Sequence, residues 1–407
     1  MTFVDLREVS ADPGHAGFWA PWFRVSMEGK ALPQSVVRDI VQVTYKDDVN
    51  NIDSVELTVS NWDPAAQRCP YIGSETLQEL NAGKPADTRL VLFEPGPNLL
   101  RLELGYAGAN RLMVTASVTS LEPSFPGGGP PSLVVRALNR LHWMRRKPFS
   151  QAFFKKTPGQ IALSFNGLRD GSEPRLPMRI ELTERLQGRE PEIDFIAQDN
   201  QTDIDFLIGL AHRFDYELII AERPAPSKRT EEYLLFGPSD TSTRPVDYRL
   251  TWGRTLVEFK PQLTTANQVS KVTVRGWDRR TKRRISVTVD LKDRKAGALN
   301  RDLHRLLQQA DARTEQVVDE PVFTVAEARR RAEAILQDRL KQVVTATGTT
   351  VGLPNLRAGS RLEIGGVGAR LGGTYFVTQT THTLGDGGYT TRFTARREDM
   401  AATGGTG

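Results

Sequence analysis

The sequence predicts an α+β protein that is predominantly β, with two β-barrels flanking a smaller α+β module. Three observations lead there. Short β-branched segments recur at spacings of about 8–12 residues, separated by Gly, Pro and Asn turns, as in antiparallel barrels and sandwiches. Helical patterns with N-terminal caps are confined to 151–245 and to a stretch near 324–343. The two strand-rich ends share a weak echo: 133–139 (LVVRALN) and 272–278 (VTVRGWD) both close a strand with Val-Arg, two further residues and Asn or Asp. Such an echo is what a duplicated barrel would leave.

The elements follow in order. Residues 36–45 and 54–60 (SVELTVS) alternate as half-buried strands do, and Asn61-Trp62-Asp63-Pro64 stops the second. Strands are predicted over 89–93 (RLVLF), 100–106, 111–121 and 133–138, with Glu94-Pro95-Gly96-Pro97 and Pro126 to Pro131 as turns. The character changes after Arg145-Arg146-Lys147-Pro148. Thr157-Pro158 opens a helix, Thr as cap and Pro at the first helical position. Ile161, Ala162, Phe165 and Leu168 share one face of it. Thr202 opens a second helix with Asp205 three residues on, and Phe206, Leu207, Leu210, Ala211 and Phe214 form its apolar stripe. Strands return at 216–221, 256–259, 271–275 and 284–289. A third helix runs over 324–343, capped by Thr324 with Glu327, and buries Ala328, Ala332, Ile335, Leu336, Leu340 and Val343. Strands over 342–350, 361–364, 374–382 and 389–396 complete the chain, and 401–407 reads as a flexible tail.

Composition narrows the chemistry. The chain has 407 residues, 39% of them hydrophobic and 25% charged, enough to bury real cores. Gly 34 and Pro 24 make about a seventh of the chain, which suits turn-rich β structure. Cys69 is the only cysteine, which excludes an internal disulfide framework, an iron–sulfur cluster and a Cys-rich zinc site. The N-terminus lacks a basic start and an apolar run, so no secretory signal is expected. No stretch approaches the roughly 18 apolar residues of a membrane helix. His15, His142, His212, His304 and His382 stand far apart and form no ligand pair, and no nucleophile elbow or phosphate loop occurs. Gly366 to Gly372 lies between two strands, so it reads as a hairpin and not as a dinucleotide loop. Asp203 and Asp205 read as helix-capping acids. The sequence therefore predicts no catalytic residue, no metal and no cofactor.

Two basic clusters remain. Arg279, Arg280, Lys282, Arg283 and Arg284 place five cations within six residues, directly after Trp277-Asp278. They are expected to form a hairpin tip, and they are the candidate partner interface, a patch for an anionic surface. Arg329-Arg330-Arg331 lies on the third helix. Few aromatic residues interleave with either cluster, and the net charge is only +5, which argues against nucleic acid. Trp19, Trp22 and Trp143 are candidate interface anchors, with core packing as the other reading.

A family resemblance goes further. Asn61-Trp62-Asp63, Glu94-Pro95-Gly96, Leu104-Gly105-Tyr106-Ala107-Gly108 and Leu121 to Pro126 occur in the order seen in the phage late control protein D family. Gln201 to Leu207 with Leu210-Ala211, then Val274 to Asp278, then Gly352 to Ser360, and Gly372 to Thr378 with His382 and Gly388 to Thr391 continue the pattern. The chain thus resembles the VgrG-like central hub of contractile-tail baseplates over about residues 30–400. The resemblance implies two tail-tube-like barrels: 1–150 as the first, 151–249 as the α+β module, and 250–400 as the second, with inserted helices at about 297–343. It implies a homotrimer that adapts a six-fold inner tube to a three-fold spike, with an inner tube protein above, a separate spike protein below and other baseplate proteins around it. It implies assembly in the cytoplasm and incorporation into a virion or injection-system particle, without membrane contact. A tail-associated enzyme or carbohydrate-binding component is the alternative.

Overall fold

The computed structural model describes residues 20–72, 89, 91–96, 98–106, 109–183, 186, 190, 192–224, 230–239, 246–266, 268–293, 313–318, 321–368 and 370–398. What holds the chain together is a single thirteen-stranded sheet. Its path runs Leu256–Leu263, Val344–Val351, Gly388–Arg397, Gly373–Gly385, Ile40–Asp48, Ser54–Ser60, Ser132–Asn139, Ala109–Ser124, Leu99–Tyr106, Pro21–Met27 and Lys30–Ala31. Arg361–Gly365 lies beside Gly373–Gly385, and Tyr248–Thr251 pairs with it in parallel. The N- and C-terminal parts meet inside this sheet, where 379–384 run antiparallel to 43–48. Strict alternation explains the pairing: Ser54–Ser60 presents Val55, Leu57 and Val59 to one core and its polar residues outward.

Two apolar clusters sit against this sheet. One is built on Val25, Tyr45, Leu57, Leu100, Leu102, Leu104 and Val135, the other on Leu250, Val272, Val274, Leu336, Leu362, Tyr375 and Phe393. A third cluster fills the middle of the chain. There α1 (Pro158–Ser164) and α2 (Asp203–Arg213) bury Ile161, Phe165, Phe206, Leu207 and Leu210 against Leu218, Leu234 and Phe236. The predicted caps are present. The Thr157 hydroxyl accepts the Gln160 N–H, and the Thr202 hydroxyl accepts that of Asp205. Helix α3 (Val325–Lys341) is capped by Thr324, while Glu327 turns back to the Phe323 N–H at 3.0 Å. It buries Ala328, Ala332, Leu336 and Leu340; Ile335 is only half-buried.

Several expectations are corrected. The stretch 36–45 is not all strand, because a short helix, Gln34–Asp39, follows Pro33 and buries Val36 before the strand begins at Ile40. The described residues of 89–93 form turns, with Leu92 bonded to Arg89 and Glu94 to Val91. Phe93 is buried there with its ring tilted against that of Tyr71, so its hydrophobicity reflects a packed loop rather than a strand. The third correction is to the helix 324–343, which ends at Lys341; Val343 is buried beyond it. Finally, the echo segments occupy non-equivalent places. Ser132–Asn139 is an inner strand of the large sheet, whereas Lys271–Asp278 is the middle strand of a separate three-stranded sheet with Arg283–Asp290 and Thr314–Val317. Similar strand ends arose from similar local patterning, so the echo carries no argument for duplication. Trp19, His15, His304, the part of the expected 297–343 helical insert up to 312 and the tail 401–407 lie outside the described residues, and within the rest of that insert Thr314–Val317 is a strand, not a helix, because it pairs with Lys271–Asp278.

Candidate functional site

The five predicted cations do come together at an exposed hairpin end. Strands Lys271–Asp278 and Arg283–Asp290 run antiparallel, with Asp278 opposite Arg283. The Asp278 carboxylate accepts the Arg280 N–H at 2.9 Å and the Thr281 N–H at 3.0 Å, and Lys282 takes a left-handed conformation with φ 54°. The Thr281 N–H and hydroxyl, helped by the Arg280 N–H, hold that carboxyl below its ordinary range. Arg279, Arg280 and Lys282 are exposed in the turn, and Arg283 and Arg284 are exposed where the strand begins. No ion pair to any of the five is found among the described residues.

The strand alternation sorts the rest. Val272, Val274, Ile285 and Val287 face inward and pack with α3. Arg275 and Trp277 face outward, with Trp277 directly opposite Arg284. Trp277 is 49% exposed and Val318 66% exposed. Together with Arg275, Arg279, Pro321 and Phe323 they line an open groove of about 580 Å³. The Arg279 guanidinium lies 4.6 Å from the centre of the Phe323 ring. Gly276 sets the groove's floor, since a methyl group there would collide with the side chain and carbonyl of Val322. The Trp277 N–H bonds that same carbonyl at 3.3 Å, which fixes the 321–323 loop beside the strand. Alternation alone could have placed Trp277 outside; the long-range approach of Val318 and Phe323 left no signal in the sequence.

A second concentration of charge is buried where the three cores meet. Arg357 donates to Asp47 at 2.6 Å, to Glu222 at 2.9 Å and to the Tyr45 hydroxyl. Tyr45 in turn donates to Asp53 at 3.0 Å, and Thr380 donates to Asp47. Arg111 holds Glu222 from the other side at 3.2 Å. Burial, then the neighbouring Asp47, pushes the Asp53 carboxyl well above its usual range. Beside it His382 is fully enclosed. Its Nε2 faces the Leu356 carbonyl at 2.9 Å, so that nitrogen carries the proton, and Nδ1 accepts from the Tyr389 and Thr391 hydroxyls. Burial lowers its pKa to about 4. Every charged member of this cluster faces a partner within the chain, so its chemistry is adhesion between cores.

The other candidates resolve into structural roles. Of Arg329-Arg330-Arg331, Arg331 reaches the His212 and Arg213 carbonyls that end α2, a favourable place for a cation. Asp203 does more than begin a helix: it is buried against Arg175, which lies 3.4 Å over the Phe149 ring. Trp22 and Trp143 are half-buried, with Arg24 and Arg146 over their rings. On either side of 366–372, where a hairpin is expected, Arg361–Gly365 and Gly373–Gly385 pair antiparallel. Among the described residues no cluster of His, Cys, Asp and Glu has metal-binding geometry, and no helix is long and apolar enough to cross a membrane.

The fold is shared with known proteins. The tail protein from Neisseria meningitidis MC58 matches with a TM-score of 0.61 at 14% identity, covering 94% of this chain and 98% of that one. The 43 kDa tail protein of prophage MuSo2 from Shewanella oneidensis matches with a TM-score of 0.62 at 13% identity, over 94% and 99% of the two chains. A component of the E. coli type VI secretion system, described as similar in structure to T4 bacteriophage tail proteins, matches with a TM-score of 0.52 at 12% identity, over 91% and 76%. The predominantly β fold is thus that of tail proteins. No curated protein matches in sequence. A family model described as the Alg8 N-terminal domain matches residues 91–386, most of the chain, and the chain therefore belongs to the Alg8 N-terminal domain family.

Proposed function

We propose that this protein is a structural hub of a contractile-tail or injection-system baseplate. It acts as a homotrimer that adapts a six-fold inner tube to a three-fold spike, and it catalyses no reaction. The observation that carries the reading is the match to two tail proteins over nearly the whole of both chains. The late control protein D and VgrG-like motifs of the sequence point the same way. The sheet suits a ring. One terminal strand is Leu256–Leu263, the other Pro21–Met27 with only the short Lys30–Ala31 beyond it. Terminal strands offer unpaired backbone groups to a neighbouring copy. Pro261 fits this placement, since a residue without an N–H is tolerated on an edge strand. Within each chain 1–150 and 250–400 supply the two tube-like units, and 151–249 the module between them. The tube protein, a separate spike and other baseplate proteins are the partners, with assembly in the cytoplasm.

Light scattering of the purified chain tests this. A mass of three times 45.3 kDa is expected, with three-fold rings in electron micrographs. A chain that stays monomeric at every concentration, alone and with its tube protein, overturns the reading.

A further inference from the structure

The groove beside the basic hairpin combines an apolar lining with a cationic rim. It has an apolar floor and walls, from Trp277, Val318, Pro321 and Phe323. It has a cationic rim, from Arg275 and Arg279 at the groove and Arg280, Lys282, Arg283 and Arg284 just beyond. Residues 275–284 carry six cations against one carboxylate, Asp278, a local excess of five that equals the net charge of the entire chain, +5. That carboxylate is already engaged by the N–H groups of its own turn.

Like charges at this spacing repel within a Debye length of about 8 Å at physiological salt. A solvated tip relieves that repulsion by splaying its side chains. Here Arg279 is instead drawn back over Phe323, and Arg284 stands across from Trp277, so these two cations lie beside the apolar surface. Trp and Arg at the edge of a preformed depression are the residue types that dominate protein–protein binding energy. A nucleic acid would instead ask for several stacking aromatics along a basic track, and only Trp277 is a largely exposed aromatic in this groove.

We propose that this groove docks an acidic polypeptide segment of another protein, one that inserts an aromatic or aliphatic side chain against Trp277 and Val318 while its carboxylates pair with Arg275, Arg279 and Arg284. The apolar anchor supplies residence time, and the charges supply orientation and speed of encounter. The inference rests on the hairpin's local geometry and stands whether or not the chain is a trimeric hub.

Fluorescence anisotropy of the intact protein tests it with three labelled probes: an acidic peptide of alternating Glu and Phe, a poly-Glu peptide of the same charge, and a single-stranded oligo-dT of similar length. The Glu/Phe peptide is expected to bind, to weaken as salt rises, and to exceed poly-Glu by about tenfold or more through its anchor. R275E/R279E/R284E is expected to abolish binding, and W277A to remove most of the advantage over poly-Glu while leaving poly-Glu itself little changed. Both variants alter exposed side chains, and circular dichroism checks that each is folded. Failure of the Glu/Phe peptide to bind, equal binding by all variants, or tighter binding of oligo-dT overturns the proposal. Loss of self-association in the triple variant, read by light scattering, would place a second copy of this chain in the groove and also overturns it. A monomeric wild-type chain that still binds the peptide leaves this inference intact while refuting the hub.

Discussion

Replacing Arg357 by Ala should loosen the joint between the three cores. The guanidinium and both its carboxylate partners are nearly dry: side-chain exposure is 11% for Arg357, 5% for Asp47 and 6% for Glu222. The two carboxylates are left in different states by the change. Glu222 keeps Arg111 at 3.2 Å. Asp47 keeps only neutral donors, the Ala358 N–H at 3.1 Å and the Thr380 hydroxyl. One carboxylate is therefore stranded without a counter-charge, and removing one partner of a buried pair costs about 3–5 kcal/mol. At a urea dependence of about 3 kcal/mol per molar, the midpoint should fall by about 1 M or more.

The companion variant Arg357→Met with Asp47→Leu removes both charges and should recover most of that loss, because two apolar groups of similar size replace a desolvated pair. Circular dichroism and tryptophan fluorescence followed through urea unfolding read both variants. An Arg357→Ala midpoint within about 0.3 M of the wild type would refute the reasoning. So would a double variant no better than the single.

Other outcomes follow from the same surroundings. His382 is neutral when folded, with its pKa lowered to about 4, while the unfolded chain takes up a proton near pH 6.5. Stability should therefore fall as pH drops from about 6.5 towards 4. Asp215, raised to about 6 by burial despite Lys341, works in the opposite sense over the same window, so the comparison is with His382→Asn, whose urea midpoint should lose the histidine's share of the acid sensitivity. Asp53→Asn keeps an acceptor for the Tyr45 hydroxyl and removes a carboxylate that burial and Asp47 disfavour; the raised folded pKa costs stability above about pH 4, so the variant should be at least as stable as the wild type at pH 7 by thermal melting. Within α3, Leu336→Ala should cost about 2–5 kcal/mol in urea unfolding, and Ile335→Asp less than Leu336→Asp, because Leu336 is fully buried and Ile335 only half. Gly276→Val should displace the 321–323 loop and weaken peptide binding in the groove without lowering the fraction folded, a comparison that anisotropy and circular dichroism make together.

Much of this molecule could be read from local pattern. Thr157, Thr202 and Thr324 announced their helices, because a capping hydroxyl and its N–H partner lie within three residues. The hairpin of the five cations was legible for the same reason, since its strands and its turn are contiguous. Failures occurred where tertiary packing overrode local preference. Phe93 looked like part of a strand because it is hydrophobic among hydrophobics, yet it is buried through a loop against Tyr71. Val36 sits in a single helical turn that Pro33 begins.

The joint between the cores was invisible for a deeper reason. Tyr45 and Asp47 meet Arg357 across more than three hundred residues, with separations of 312 and 310, and nothing in either neighbourhood marks the other. The same holds for the sheet itself, in which 379–384 pair with 43–48. Two strand-rich ends separated by a helical module read as two units, and alternation within each carries no sign that a strand of one pairs with a strand of the other. That pairing is made at the seam. His382 lies opposite Tyr45 there, and Thr380 lies opposite Asp47, so the strand that joins the halves also delivers the polar groups that enclose Arg357. Pairing and ionic cluster therefore depend on one register. A slip of one residue would turn Thr380 and His382 to the opposite face, leaving Asp47 without the Thr380 hydroxyl and the buried imidazole exposed. A seam with that property resists sliding, because every shifted register would strand a buried polar group.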